Sequence, residues 1–205
     1  MDRHTKNKEL ISALRLAMYD FSESSVRKVL ETLFISEPVL HLCYPLGDKV
    51  GVDNYYMDVF APLLRALPDL ERRDTIVMAG PTKEGADWVG CCGYYTGTFS
   101  KAWLDIPPTG HQVAMRLHEF YRFEDERVTE VQTLWDIPEL MMQAGAWPMA
   151  PSLGREWQVP GPATQDGIIQ GPYDESSSSV TCQLIIDMLT AMQRHPSEGG
   201  AEVME

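Results

Sequence analysis

Glu119 is the residue whose type and setting could do chemistry. It lies in the run Leu117-His118-Glu119-Phe120-Tyr121-Arg122-Phe123. Strand alternation puts Leu117, Glu119, Tyr121 and Phe123 on one face. A carboxylate turned inward among apolar neighbours is desolvated, which raises its pKa. A carboxyl group so placed can take a proton and return it. The same position also suits a salt bridge to Arg116, Arg122 or another basic neighbour. Asp136 closes the following strand, either as part of a site or as the cap of the next helix, a role worth ~1 kcal/mol. Thr133 offers a hydroxyl to orient a ligand, although β-branched residues are ordinary in strands. Tyr44, Trp88, Tyr95, Trp103, Tyr121 and Trp135 are candidate walls of a ligand pocket, since Tyr and Trp combine apolar area with a polar handle. Each is also a candidate for ordinary core. Trp103, before Pro107, is placed to lid the mouth of such a pocket.

Other chemistries find little support. His41, His111 and His118 lack the spacing of metal-ligand motifs, so no metal is expected. The segment Gly93–Gly97 reads as strand, not as a phosphate-cradling turn into a helix. No Gly-x-Ser-x-Gly elbow occurs. The 205 residues carry a formal net charge of -13 and are 44% hydrophobic. That composition suits one globular domain and a remainder, and its acidity repels nucleic acid. No apolar run approaches the ~20 residues of a membrane helix. The N-terminus leads into an amphipathic stretch and not into a signal peptide's apolar core. Cys43, Cys91, Cys92 and Cys182 do not form a disulfide framework for a chain this long, and neighbouring Cys91 and Cys92 point to opposite faces of a strand. These features predict a soluble cytoplasmic protein.

The elements that must position these residues follow from periodicity. Helices are expected over 7–20, on Leu10, Ile11, Leu14, Ala17 and Met18, and after Phe21-Ser22-Glu23, on Val26, Val29, Leu30 and Leu33. Residues 39–44 read as a short strand. A third helix is expected from Asp53 to Leu67, kinked or broken at Pro62. Strands are expected over 70–79, 86–98, 113–123 and 128–136. The last two form a hairpin on the turn Glu124-Asp125-Glu126-Arg127, which lacks the usual Asn-Gly or Asp-Gly. Pro138 opens a final helix and Gly145 ends it. Helices followed by a run of antiparallel strands make an α+β order.

Residues 146–179, rich in Pro, Gly and Ser, read as a linker or wrapping tail, with Trp147 and Trp157 expected to pack on a surface. Residues 180–205 then echo the start of the chain at a constant offset of 174. Leu184-Ile185 matches Leu10-Ile11, Ala191-Met192 matches Ala17-Met18, Val203 matches Val29 and Glu205 matches Glu31. Met188 and Met204 stand where Leu14 and Leu30 stand. The echo predicts the beginning of a second copy of the domain. Two amphipathic helices would also resemble each other to some degree.

Residues 7–157 resemble the SnoaL-like polyketide cyclases (ester cyclases) of the nuclear-transport-factor-2-like superfamily. The resemblance rests on Pro45-x-Gly47, Leu67-Pro-Asp-Leu70, Thr96-Gly-Thr98, Ile106-Pro-Pro-Thr-Gly110, Tyr121-Arg-Phe-Glu-Asp and Trp135-Asp136 before Met142-Gln-Ala-Gly145. The linker is similar to those of tandem members with two such domains. The resemblance implies a domain over 1–145 whose curved, mixed or antiparallel sheet forms a cone (an α+β barrel), closed by about three to four helices. It implies a cyclase or isomerase that uses no metal and no cofactor, closes a ring by intramolecular aldol addition, and relies on an acid/base aspartate helped by a histidine. Here the family's histidine position falls on Glu119 and its aspartate position on Thr133, so that pair is replaced. The expected partners are a small, mostly apolar carbonyl compound and a second copy of the chain. A hydrolase, a non-catalytic binding domain and a dimerisation module remain as alternatives.

Overall fold

The computed structural model describes residues 2–151, 153–154, 158–168 and 171–193. Its first helix, α1 (Arg3–Tyr19), begins earlier than periodicity suggests because the Asp2 side chain accepts from the Thr5 amide. It buries His4, Asn7, Ile11, Leu14 and Met18 along one stripe. In α2 (Glu23–Leu33), Ser22 is the N-cap and Val26, Leu30 and Leu33 are buried. The chain then enters β1 (Phe34–His41) directly. Sequence reading starts this strand at Val39, since Ser36, Glu37 and Pro38 look like punctuation. The structure absorbs them in an irregularity between Phe34 and Val39. A short strand, β2 (Asp48–Val50), pairs with β1 and was not expected.

The expected third helix is present but interrupted. It runs as α3 (Val52–Tyr55), a π-helical turn (Tyr56–Phe60) and α4 (Ala61–Ala66). Pro62 lies in the first turn of α4. A proline there has no N–H to give to the preceding turn, so the widened turn falls just upstream of it. Strands β3 (Glu71–Pro81), β4 (Asp87–Thr98), β5 (Gln112–Glu124) and β6 (Arg127–Trp135) follow, then α5 (Ile137–Gln143). The β5–β6 hairpin turns on Asp125 and Glu126, both at positive φ (46° and 64°). Two left-handed residues match the twist of a two-residue hairpin, here without glycine. After α5, Gly145 takes φ 64° and ends the helix.

The six strands form one sheet in the order β2-β1-β6-β5-β4-β3. β1 runs parallel to β6 and the other pairings are antiparallel. The sheet is curved and unclosed, so the fold is α+β without a sealed barrel. Its inner face packs on α1, α2, the α3–α4 region and α5 around one apolar core. Inner positions follow strand alternation, as in Val89, Cys91, Gly93 and Tyr95 on β4, and Leu117, Glu119, Tyr121 and Phe123 on β5.

One break in phase matters for the site. β3 carries a bulge between Asp74 and Ile76, opposite Gly93 and Cys92. The extra residue resets the alternation. Arg72 and Asp74 therefore point inward before it and Val77 after it. The bulge also presses β3 onto β4. A Cβ on Gly93 would lie 2.1 Å from the Arg73 carbonyl oxygen, so glycine is required.

The chain falls into two compact units, Met1–Gly171 and Pro172–Glu205. Within the first, residues 158–168 cross the outer face at β3. The second holds α6 (Glu175–Met192), capped by Asp174. Its Leu184, Ile185, Met188 and Met192 are exposed, whereas Ile11, Leu14 and Met18 on α1 are fully buried. Trp157, Val203, Met204 and Glu205 lie outside the described residues.

Candidate functional site

Glu119 is completely buried on the inner face of β5. Its Oε1 accepts from the Tyr95 hydroxyl at 2.9 Å and from the Trp135 indole N–H at 2.8 Å. Its Oε2 accepts from Arg72 Nη1 at 2.6 Å and from the Tyr121 hydroxyl. All four partners come from other inner positions, Arg72 on β3, Tyr95 on β4, Tyr121 on β5 and Trp135 on β6. The sheet's curvature brings them to one point.

Arg72 is the counter-charge. It is fully buried, and it also donates from Nε and Nη2 to Asp74 at 3.0–3.1 Å and from Nη1 to Tyr121 Oη at 3.0 Å. Asp74 in turn accepts from Arg15 Nε of α1 at 3.0 Å. The result is an alternating row, Arg15–Asp74–Arg72–Glu119, running from the rim to the interior. Buried charges are costly unless paired and hydrogen-bonded, and here every one is. Burial alone would lower the Arg72 pKa, but Asp74 and Glu119 outweigh it and hold it well above the usual arginine value. The partners considered from sequence are elsewhere. Arg116 lies over the Tyr94 ring on the outer face, and Arg122 pairs with Glu124 and Glu130.

Around the ion pair the rings pack closely. Tyr95 meets Trp135 edge-on at 5.1 Å, and Phe60 lies 6.2 Å from Trp135. Trp103 covers Trp135 at 6.5 Å. It is held by a small turn in the β4–β5 connection, where Trp103 and Ile106 bridge across Leu104 and Asp105, both at positive φ. The Tyr55 hydroxyl is buried at the edge of this cluster, with the Tyr121 hydroxyl as its neighbour. Burial, and then the nearby Glu119 charge, push its pKa well above the usual tyrosine value, so Tyr55 stays a neutral phenol. Burial does the same, as the leading cause, for Tyr95 and Tyr121.

The other predicted residues divide. Thr133 faces Glu119 across the β5–β6 pairing, and its Oγ1 accepts from the Cys43 amide at 3.3 Å. Asp136 caps α5, with its side chain accepting from the Glu139 amide at 3.0 Å. Tyr44 is 92% exposed and away from the cluster. Trp88 is half-buried on the outer face of β4. Tyr95, Trp103, Tyr121 and Trp135 do converge on Glu119 or its cover. Arg72, Asp74 and Tyr55 were missed. Alternation from Leu70 through Arg72 to Asp74 was the available signal for two of them. Among the described residues, no three His, Cys, Asp or Glu side chains gather as metal ligands.

A family model for SnoaL-like polyketide cyclase matches residues 13–144. The chain belongs to that family. Solved structures agree in fold. A putative SnoaL-like polyketide cyclase from Jannaschia sp. CCS1 is 22% identical with a TM-score of 0.59, over 72% of this chain and 99% of that one. IdmH, a putative polyketide cyclase from Streptomyces antibioticus, is 22% identical with a TM-score of 0.56, over 68% and 98%. AclR, a putative hydroxylase from Streptomyces galilaeus, is 18% identical with a TM-score of 0.58, over 94% and 99%. No curated protein matches the sequence. Among the described residues, no helix is long and apolar enough to cross a membrane.

Proposed function

We propose that this SnoaL-like domain acts on a small, mostly apolar carbonyl compound by cofactor-independent acid–base chemistry of the cyclase or isomerase type. The observation that carries the reading is Glu119 itself, a fully buried carboxylate on the inner face ringed by the hydroxyls of Tyr95 and Tyr121 and the indole of Trp135. The Tyr55 hydroxyl, a neutral phenol beside Tyr121, is suited to turn and donate to a ligand's carbonyl oxygen. Glu119 then takes the proton from the carbon next to that carbonyl. The resulting enolate attacks a second carbonyl of the same molecule, a carbon–carbon bond forms, and the proton returns to the new alkoxide. Access requires the Trp103 turn to lift and Trp135 to give up Oε1 of Glu119, which frees a lone pair for the reaction. Thr133 and Asp136 support this geometry from the rim, Thr133 by its hydroxyl and Asp136 by fixing α5.

A second reading has its own support. Four hydrogen bonds saturate Glu119, which favours a ligand-binding domain without turnover. One set of measurements separates the two. Native mass spectrometry of the purified protein shows whether an apolar molecule is retained, and a screen of small 1,3-dicarbonyl and polyketide-like compounds reads turnover. The enzyme reading expects Glu119→Gln to abolish turnover with the fold retained, and Tyr55→Phe to reduce turnover with the melting temperature nearly unchanged. Binding without turnover in the wild type supports the second reading. A large loss of stability in Glu119→Gln with no activity in any variant leaves Glu119 as a structural ion pair. The same spectra test a homodimer through the outer face, where Met78, Phe120 and Leu134 are exposed. Four unpaired thiols suit a reducing cytoplasm.

A further inference from the structure

The outer face of the strands that hold Glu119 carries a different set of reactive groups. Cys92 on β4 and His118 on β5 are direct cross-strand neighbours. His118 Nδ1 lies 3.1 Å from Cys92 Sγ, and both residues are half-buried. Residues 158–168 pass over them and leave a groove of about 450 Å³, lined by Cys92, His118, Arg116, Tyr94, Ile76 and Val159 among others. The roof is seated closely. A Cβ on Gly161 would lie 2.8 Å from Thr75 Cγ2, and one on Gly167 2.3 Å from the Thr75 carbonyl oxygen. Thr75 is the extra residue of the β3 bulge, so the bulge that sets the inner face also anchors this roof. Arg116 stacks over the Tyr94 ring at 5.6 Å and donates to its hydroxyl at 3.3 Å, which places a guanidinium on the groove wall.

We propose that this groove is a second small-molecule site, in which Cys92 adds to an α,β-unsaturated carbonyl compound, with His118 as proton carrier and Arg116 as the partner of the carbonyl oxygen. The apolar walls suit the hydrocarbon part of such a molecule, and a thiol is the natural nucleophile for its soft β-carbon. In the step, His118 takes the thiol proton as sulfur attacks. A carbon–sulfur bond forms at the β-carbon, and the double-bond electron pair moves to the enolate oxygen facing Arg116. The α-carbon then recovers the proton from His118. Nothing leaves and nothing is oxidised.

The base is needed. Burial, reinforced by Asp74, raises the Cys92 thiol above its ordinary value, so a resting thiolate does not supply the reactivity. No other cysteine combines these features. Cys91 faces the interior, Cys182 is an exposed residue of α6, and among the described residues Cys43 has Thr133, not an imidazole, as its side-chain neighbour.

The test uses the full chain with Cys182→Ser, and 2-cyclohexen-1-one as the probe, with adducts located by peptide mass spectrometry. Labelling should fall on Cys92 and saturate with probe concentration. Its rate should rise with pH by less than the tenfold per unit expected when only free thiolate reacts. His118→Gln should slow labelling by roughly 100-fold, the lower range of general-base effects, and restore the full slope. Arg116→Met should raise the half-saturating concentration of the enone and leave the iodoacetamide rate unchanged. Absence of label on Cys92, non-saturating labelling, or an unchanged rate in His118→Gln would overturn the proposal. The wild-type pH slope decides on base assistance even if a variant misfolds. The groove shares no residue with the Glu119 cluster, so its failure leaves the reading of the interior untouched.

Discussion

The two faces of β4 and β5 use adjacent residues for opposite ends. Inward, Glu119 is locked by four donors, and Cys91 beside it is pushed up to about 12 by burial. Outward, one residue along each strand, Cys92 and His118 meet each other in a partly open groove. The inner group is hydrogen-bonded and buried, so its groups are fixed in place and any chemistry there requires rings to move. The outer group is incompletely covered and has capacity to spare. The contrast teaches that neighbouring residues of one strand can differ in hydrogen-bond saturation as much as in type.

The comparison can be broken most severely at Arg72. Arg72→Met leaves Glu119 buried without its counter-charge and Asp74 with Arg15 alone, and breaking a buried pair costs about 3–5 kcal/mol. Denaturant unfolding should show that loss, and a change under about 1 kcal/mol would mean that the buried pair contributes little to folding. Gly93→Ala tests the layer between the faces. The added Cβ meets the β3 backbone, and a loss of roughly 3 kcal/mol is expected, together with loosening of the 158–168 roof seen as faster proteolysis there. Asp136→Ala removes the α5 cap and should cost ~1 kcal/mol. If turnover exists and falls far more than that stability loss explains, Asp136 belongs to the chemistry.

The smallest effect is at the rim of the sheet. Asp69 accepts from the Thr98 hydroxyl and amide, which lowers its carboxyl below the usual range, the hydroxyl bond first. A depressed folded pKa contributes stability above the unfolded value of about 3.9, and that contribution disappears as pH falls through the lower folded value. Wild type and Asp69→Asn should therefore differ at neutral pH and converge in acid, as read by melting temperature against pH. Parallel curves would show that the Thr98 contacts do not depend on the charge.

Much of this architecture was legible locally. Ser22 and Asp136 cap helices because their short side chains reach the first free amides. Alternation in Leu117–Phe123 correctly put Glu119 inward and His118 outward. The resemblance carried by the loop and hairpin motifs led to the right family. What failed locally failed for a physical reason. Strand β2 is three residues long and exists only because β1 offers it an edge. The β3 bulge leaves no residue signature of its own, yet it decides which of Arg72 to Val77 face the core.

The sequence by itself determined the order of the main elements, the two faces of β5 and the presence of one carboxylate among inward aromatics. Each depends on forces acting within a few residues, such as capping, steric limits on the backbone and the period of apolar side chains. Only the tertiary structure decided that Glu119 is paired, that its partner is Arg72 forty-seven residues away, and that Tyr55 is buried beside them. Those outcomes depend on sheet curvature and on desolvation, which no single strand possesses.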